Sequence, residues 1–232
     1  FLYGLGGGWV AAPVDDYIFV IDDSGSMETT DPDQKRLTAL TYLLNNLDSG
    51  KRAALVCFTS EITGEVPLGA LDRAKIGDIL GVGENLTSDG GTDIHLGVSH
   101  ALNMDGVCDP TRSALIVLLT DGLSGSDIRA SELAHVCAAG NVRISTIGLT
   151  DNVDKAVLRM LAGMTGGAYY QTDELDDLID IYSRINVIDE SRDLIGVRTG
   201  VAHASLPYAA LRALCWALIG LIAGLAGRWI FR

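Results

Sequence analysis

Basic residues are scarce in this chain, with 17 Lys and Arg against 30 Asp and Glu and a net charge of −13 over 232 residues. Affinity for nucleic acid rests on Lys and Arg that neutralise phosphate, so this balance argues against a nucleic-acid partner. Cysteine is scarce too. Cys57, Cys108, Cys137 and Cys215 are too few and too scattered to staple a small scaffold. Cys57 falls in an apolar run and reads as a small core residue, and Cys215 falls in an apolar C-terminal segment. Cys108 and Cys137 are expected near one end of the same sheet, where a disulfide and two free thiols are equally open. The first ten residues lack the basic stretch that opens a signal peptide. Residues 1–14 read as a lead-in or as the tail of an upstream membrane segment. No Lys-Ser or Lys-Thr pair follows the Gly6-Gly7-Gly8 run, which excludes a phosphate-binding loop there.

Apolar residues, by contrast, make up 48% of the chain, enough for a sizeable core. Tyr17 to Ile21 is an apolar run without alternation, the mark of a strand buried on both faces; Arg52 to Phe58 reads as a second buried strand, Ala114 to Leu119 as the clearest strand, and Val142 to Leu149 as a further strand. Ile62 to Pro67, bounded by Gly64 and Pro67, suits an edge strand. Ala168 to Gln171 suits a short last strand. Between them lie helical stretches: one opened by Asp31-Pro32 and carrying Leu37, Leu40, Leu44 and Leu47, then Leu71 to Leu80, Ile94 to Met104, Ser126 to Ala139 and Asp154 to Met164. A final helix over Asp173 to Val187 carries Leu175, Leu178, Ile179, Tyr182 and Ile185 on one face. This alternation predicts an α/β fold: a doubly wound, mostly parallel, Rossmann-like sheet with one antiparallel edge strand. The domain is expected over 15–188 and a mixed linker over 189–205.

Residues 206–231 are different. Only Arg212 and Arg228 interrupt an apolar stretch long enough to span a bilayer, and Trp216 and Trp229 sit near its ends. We expect a C-terminal transmembrane helix here, with Gly220 and Gly224 spaced for helix-mediated self-association. Arg228 and Arg232 flank one end and Arg198 and Arg212 the other, so charge alone favours neither orientation.

Three separated pieces are expected at the carboxyl end of the sheet, where open parallel sheets bind ligands. Asp22-Asp23-Ser24-Gly25-Ser26 follows the first strand, Gly90-Gly91-Thr92-Asp93 precedes a helix, and Thr120-Asp121-Gly122 follows the strongest strand. They offer oxygen and no thiol or imidazole in phase, which suits a hard divalent cation, Mg²⁺ or Mn²⁺. The candidate metal ligands are Asp22, Ser24, Ser26, Thr92 and Asp121. Two carboxylates among neutral hydroxyls would leave such an ion electrophilic enough to take a partner's carboxylate. Asp23 and Asp93 read as cap or surface residues and Asp89 as a loop residue. His95 reads as a neighbour of the site and not a ligand, and His100, His135 and His203 have no partners in phase.

With these residues in view, the chain resembles the von Willebrand factor A family over Asp15 to about Ile188. Asp22-Asp23-Ser24-Gly25-Ser26 matches that family's D-x-S-x-S, and Thr92 and Asp121 match the two later elements of its metal-ion-dependent adhesion site. The resemblance implies that Ser24, Ser26 and Thr92 touch the metal, with Asp22 and Asp121 acting directly or through water. It implies a membrane-anchored, receptor-like module that captures an acidic residue of a partner protein. Met27 to Pro32 followed by Arg36-Leu37 is similar to bacterial membrane-anchored members, which places the domain outside the cytoplasm. Such members often assist AAA+ ATPases, so an assembly or maturation role is the alternative. Enzymatic activity is not expected, because no histidine is placed as a base for Ser24 or Ser26.

Overall fold

A strand buried on both faces needs apolar residues on both, and β1 (Asp16–Asp22) is buried along its whole length. The computed structural model describes residues 14–185, apart from 49, 124–128, 173, 175 and 176. It places β1 in a sheet with β2 (Arg52–Phe58), β3 (Ile62–Ala70), β4 (Ala114–Thr120), β5 (Val142–Leu149) and β6 (Tyr169–Thr172). The order is β3-β2-β1-β4-β5-β6. All neighbours are parallel except β2 and β3. The chain runs from β1 to β2 on one side and returns to β4 on the other, so the β1–β4 seam is the topological switch point where ligands of such sheets bind.

The helices are α1 (Met27–Thr30), α2 (Lys35–Asn46), α3 (Arg73–Gly83), α4 (Ile94–Asn103), α5 (Ala130–Gly140) and α6 (Lys155–Thr165). A helical segment over 178–185 follows. Alternation along the strands sorts the core into two layers. Tyr17, Phe19 and Ile21 pack with α2, α3 and the 178–185 segment. Ile18 and Val20 face the other way, onto α4, α5 and α6. The 178–185 segment buries Leu178, Ile181, Tyr182 and Ile185. Gly97 lets α4 approach the sheet, since a Cβ there would sit 2.7 Å from the Phe58 ring.

Several boundaries differ from expectation for identifiable reasons. β3 runs through Pro67 to Ala70 because the β2–β3 register shifts between Ala53 and Leu55 and takes up the proline there. α2 starts at Lys35, three residues beyond Pro32, because Gln34 takes a left-handed φ of 51°. The Asp31 carboxylate then caps α2 from outside, accepting from Lys35 N at 2.6 Å and Arg36 N at 3.1 Å. α1 was not expected; one turn of four residues carries no periodic signal.

Cys57, Cys108 and Cys137 are free thiols in this structure. Cys108 Sγ donates to Leu102 O at 3.2 Å. Burial pushes the Cys57 and Cys137 thiols up to about 12, too high for ready thiolate chemistry. Among the described residues, no helix is long and apolar enough to cross a membrane. The expected membrane helix over 206–231, with Gly220 and Gly224, lies outside the described residues, as do the linker, His203 and Cys215.

Candidate metal centre

β1 and β4 end side by side, and the site's two carboxylates lie at those ends. Asp22 closes β1, and Asp121 follows the end of β4 at Thr120. The Asp22 side chain is fully buried. Its Oδ1 accepts from Ser24 N at 2.9 Å and its Oδ2 from Thr120 Oγ1 at 2.5 Å. Burial raises the Asp22 carboxyl above its ordinary range; the Ser24 and Thr120 hydrogen bonds only partly offset this, and the Asp121 charge adds to it.

The chain after Asp22 turns so that Ser24 Oγ lies 3.1 Å from Ser26 Oγ. Ser26 Oγ in turn donates to Asp121 Oδ1 at 2.6 Å. The other oxygen, Asp121 Oδ2, is buried and makes no hydrogen bond among the described residues. Thr92 reaches the same place from the loop before α4. A Cβ on Gly122 would lie 3.1 Å from Thr92 Oγ1, so the absence of a side chain at 122 leaves room for that hydroxyl. Gly25 N donates to Gly90 O at 3.0 Å and ties the first loop to the second. The structure thus gathers all five candidate ligands. Burial grades across them, from Asp22, Ser24 and Asp121 on the floor, through half-buried Thr92, to exposed Ser26.

Among the described residues, no three His, Cys, Asp or Glu side chains cluster as a metal site. A cation here would therefore rely on hydroxyl oxygens. The residues fit that role: a buried carboxylate oxygen of Asp121 has no hydrogen bond among the described residues, Ser26 and then Ser24 lead off from the same carboxylate, Thr92 comes in beside Gly122, and all donors are hard oxygen.

The neighbouring residues sort differently from the sequence reading in two cases. Asp23 is not a surface or cap residue; it is 1% exposed, and its carboxylate accepts from Ser88 N at 2.8 Å and Thr87 N at 3.3 Å. His100 does have a partner, Glu65 Oε2 at 2.8 Å from its Nε2. Asp93 caps α4 by accepting from Leu96 N, and Asp89 accepts from Gly90 N within its loop. His95 Nε2 lies 3.4 Å from Arg129 Nη2, on the α4–α5 side. Thr120 and Arg36 were not singled out as functional from sequence. A polar residue ending an apolar strand, directly before Asp121, was the available signal for Thr120. Arg36 had none, since a helical arginine ordinarily faces solvent.

The chain is similar to several known proteins. The von Willebrand factor type A domain model matches residues 16–184. Calcium-activated chloride channel regulator 1 of Mus musculus is 29% identical over 171 residues, covering 72% of this chain and 18% of that protein. The chain thus spans less than a fifth of the mouse protein's length. A von Willebrand factor type A structure from Catenulispora acidiphila has a TM-score of 0.65 at 20% identity, over 77% of this chain and 43% of that one. Proximal thread matrix protein 1 from the mussel byssus, in a structure with a zinc-occupied metal-ion-dependent adhesion site motif, has a TM-score of 0.62 at 20% identity, over 78% and 46%. An aerotolerance-related membrane protein from Bacteroides fragilis has a TM-score of 0.61 at 16% identity, over 76% and 98%. Domains of this type are metal-dependent adhesion or protein-interaction modules and are generally not enzymes. By the span of the family match and the order of its elements, the chain belongs to the von Willebrand factor type A domain family.

Proposed function

We propose that this domain captures a partner protein through a divalent cation, Mg²⁺ or Mn²⁺, whose coordination is completed by a carboxylate of the partner. The observation that carries this reading is Asp121 Oδ2, a buried carboxylate oxygen without a hydrogen bond among the described residues, on the carboxylate that Ser26 joins to Ser24 and that lies next to Gly122 and Thr92. Two buried carboxylates with no basic side chain among the described residues bonded to either call for a positive charge from a bound cation. Bound there, the ion supplies a Lewis-acidic position for an oxygen ligand.

The chain's own residues prepare that position. Ser24 N and Thr120 Oγ1 orient the Asp22 carboxylate, and Ser26 Oγ orients that of Asp121. Exposed Ser26 and half-buried Thr92 leave the outer side open to an approaching acidic side chain. We read the module as non-enzymatic, since the serine hydroxyls bond each other and Asp121 and, among the described residues, none bonds an imidazole. We further propose that the apolar 206–231 stretch anchors the domain in a membrane, outside the cytoplasm, with Gly220 and Gly224 available to pair copies. The similarity of Met27 to Pro32 and Arg36-Leu37 to bacterial anchored members supports a second reading, an assembly factor beside an AAA+ ATPase.

The test is calorimetric titration of the full chain, in mild detergent, with Mg²⁺ and Mn²⁺, beside Asp121→Ala. One saturable site, lost in a variant that keeps its circular dichroism spectrum, is the expected result. A folded wild type that takes up neither ion overturns the reading.

A further inference from the structure

Arg36 has no exposed surface, although it lies on a helix at the edge of the domain's metal-binding end. Its guanidinium points behind the two loops that supply the hydroxyls. Nη2 donates to Ser88 Oγ at 3.2 Å and lies 3.9 Å from Asp23 Oδ1. Nη1 lies 3.5 Å from Asp31 Oδ2. Nε and Nη1 make no hydrogen bond among the described residues. A buried guanidinium so sparsely satisfied costs the fold free energy, so stability alone is a poor account of it.

Two of its three partners, Asp23 and Ser88, belong to the two metal-site loops. Asp23 immediately precedes Ser24 in the first loop, and Ser88 lies four residues before Thr92 in the second. Ser88 has a φ of 49°, a left-handed conformation that serine adopts only when its surroundings hold it there. Those surroundings are Asp23 Oδ1, which accepts from Ser88 N at 2.8 Å, and Arg36 Nη2 on its hydroxyl. The turn continues to Gly90, whose φ is 86° and whose carbonyl accepts from Gly25 N. A closed circuit of contacts therefore runs from Arg36 through Asp23 and Ser88 to Gly90 and back to the first loop.

We propose that Arg36 is a positioning residue for the metal site. By holding Asp23 and the left-handed turn at Ser88 together, it sets the separation between Thr92 on one loop and Ser24 and Ser26 on the other. This rests on the metal-site reading given above.

The test is Mn²⁺ titration of the full chain as wild type, Arg36→Lys, and Arg36→Lys with Ser88→Gly, with folding checked by near-ultraviolet circular dichroism. Lysine keeps the charge but cannot reach Asp31, Asp23 and Ser88 at once. The expected Mn²⁺ Kd rises about 10-fold in Arg36→Lys, the scale of losses from groups that orient metal ligands. Adding Ser88→Gly, which admits a positive φ without a brace, is expected to recover most of that loss. An unchanged or lower Kd in folded Arg36→Lys overturns the proposal, and so does a loss that Ser88→Gly does not relieve. A lowered melting temperature with unchanged Kd marks a structural role and also overturns it. Should Arg36→Lys fail to fold, Ser88→Ala removes only the Nη2 acceptor; weaker Mn²⁺ binding supports the proposal and unchanged binding overturns it. A folded wild type that takes up no Mn²⁺ removes the metal reading itself, a different failure from a wild type that binds while Arg36→Lys binds equally well.

Discussion

β1 begins and ends with aspartate, and the two ends treat that residue in opposite ways. Asp16 and Asp22 are both fully buried, about 20 Å apart along one strand. At the first end two arginines close on the carboxylate. Arg52 donates from Nε and Nη2 at 2.7 and 2.6 Å, and Arg112 from Nη2 and Nε at 2.8 and 3.0 Å. Burial alone would raise the Asp16 carboxyl; the bonds and charges of these two guanidinium groups outweigh it and hold the group below its ordinary range. At the other end Asp22 meets, among the described residues, the hydroxyls of Ser24 and Thr120 and the Ser24 amide but no cationic side chain, with a second carboxylate nearby, and stays raised. Where the fold needs a buried charge for structure it supplies the counter-charge. At Asp22 and Asp121 it withholds one.

Substitutions can break this contrast. The largest effect belongs to Asp121→Ala, expected to cost divalent-cation affinity at least about 100-fold, beyond what loss of an orienting neighbour costs. Asp16→Ala should leave the cation Kd unchanged. Next comes Asp16→Asn, which leaves two arginines without their carboxylate and should lower unfolding free energy by about 2 kcal/mol in urea titrations. Its folded carboxyl lies below the unfolded value of about 3.9, so the contribution is complete above that value and is lost as pH falls through the folded one. The gap between wild type and Asp16→Asn should therefore close in acid. A gap that persists there would mean packing, not charge, holds that end together. Thr120→Val, which removes the donor to Asp22 Oδ2, should weaken cation binding about 10-fold and change stability by about 1 kcal/mol. The smallest effect carries the opposite sign. Because the Asp22 carboxyl is raised, it favours the fold when protonated and loses that benefit as pH rises through its folded value. Asp22→Asn should then make the metal-free protein slightly more stable at neutral pH, by up to about 1 kcal/mol. A loss of stability equal to that of Asp16→Asn would erase the distinction between the two ends.

The sequence shows this fold readily because parallel strands are buried on both faces. Uninterrupted runs such as Ala114 to Leu119 fit little else, and β5 has the boundaries expected for it, Val142 to Leu149. The gathering of Asp22, Ser24, Ser26, Thr92 and Asp121 was legible for the same reason: strand ends of a doubly wound sheet converge. Whether those side chains hold a cation is a question for the titrations. What escaped the sequence was whatever depends on tertiary partners. Asp23 and Arg36 look like surface residues until each becomes the other's burial. The left-handed turns at Gln34 and Ser88 fall on residues that give no warning of them. Pro67 ought to end a strand, and a register shift opposite β2 lets it pass.

The pairing of β1 with β4 joins residues nearly a hundred positions apart, as Asp16 with Ala114. Asp22 therefore meets Asp121 only after β2, β3, α3 and α4 have been made. During synthesis from the N-terminus, no partial chain that stops short of β4 can present both carboxylates to an ion. A cation can reward the finished sheet but cannot recruit its first half, and a truncated product would emerge unable to compete for metal with its complete siblings.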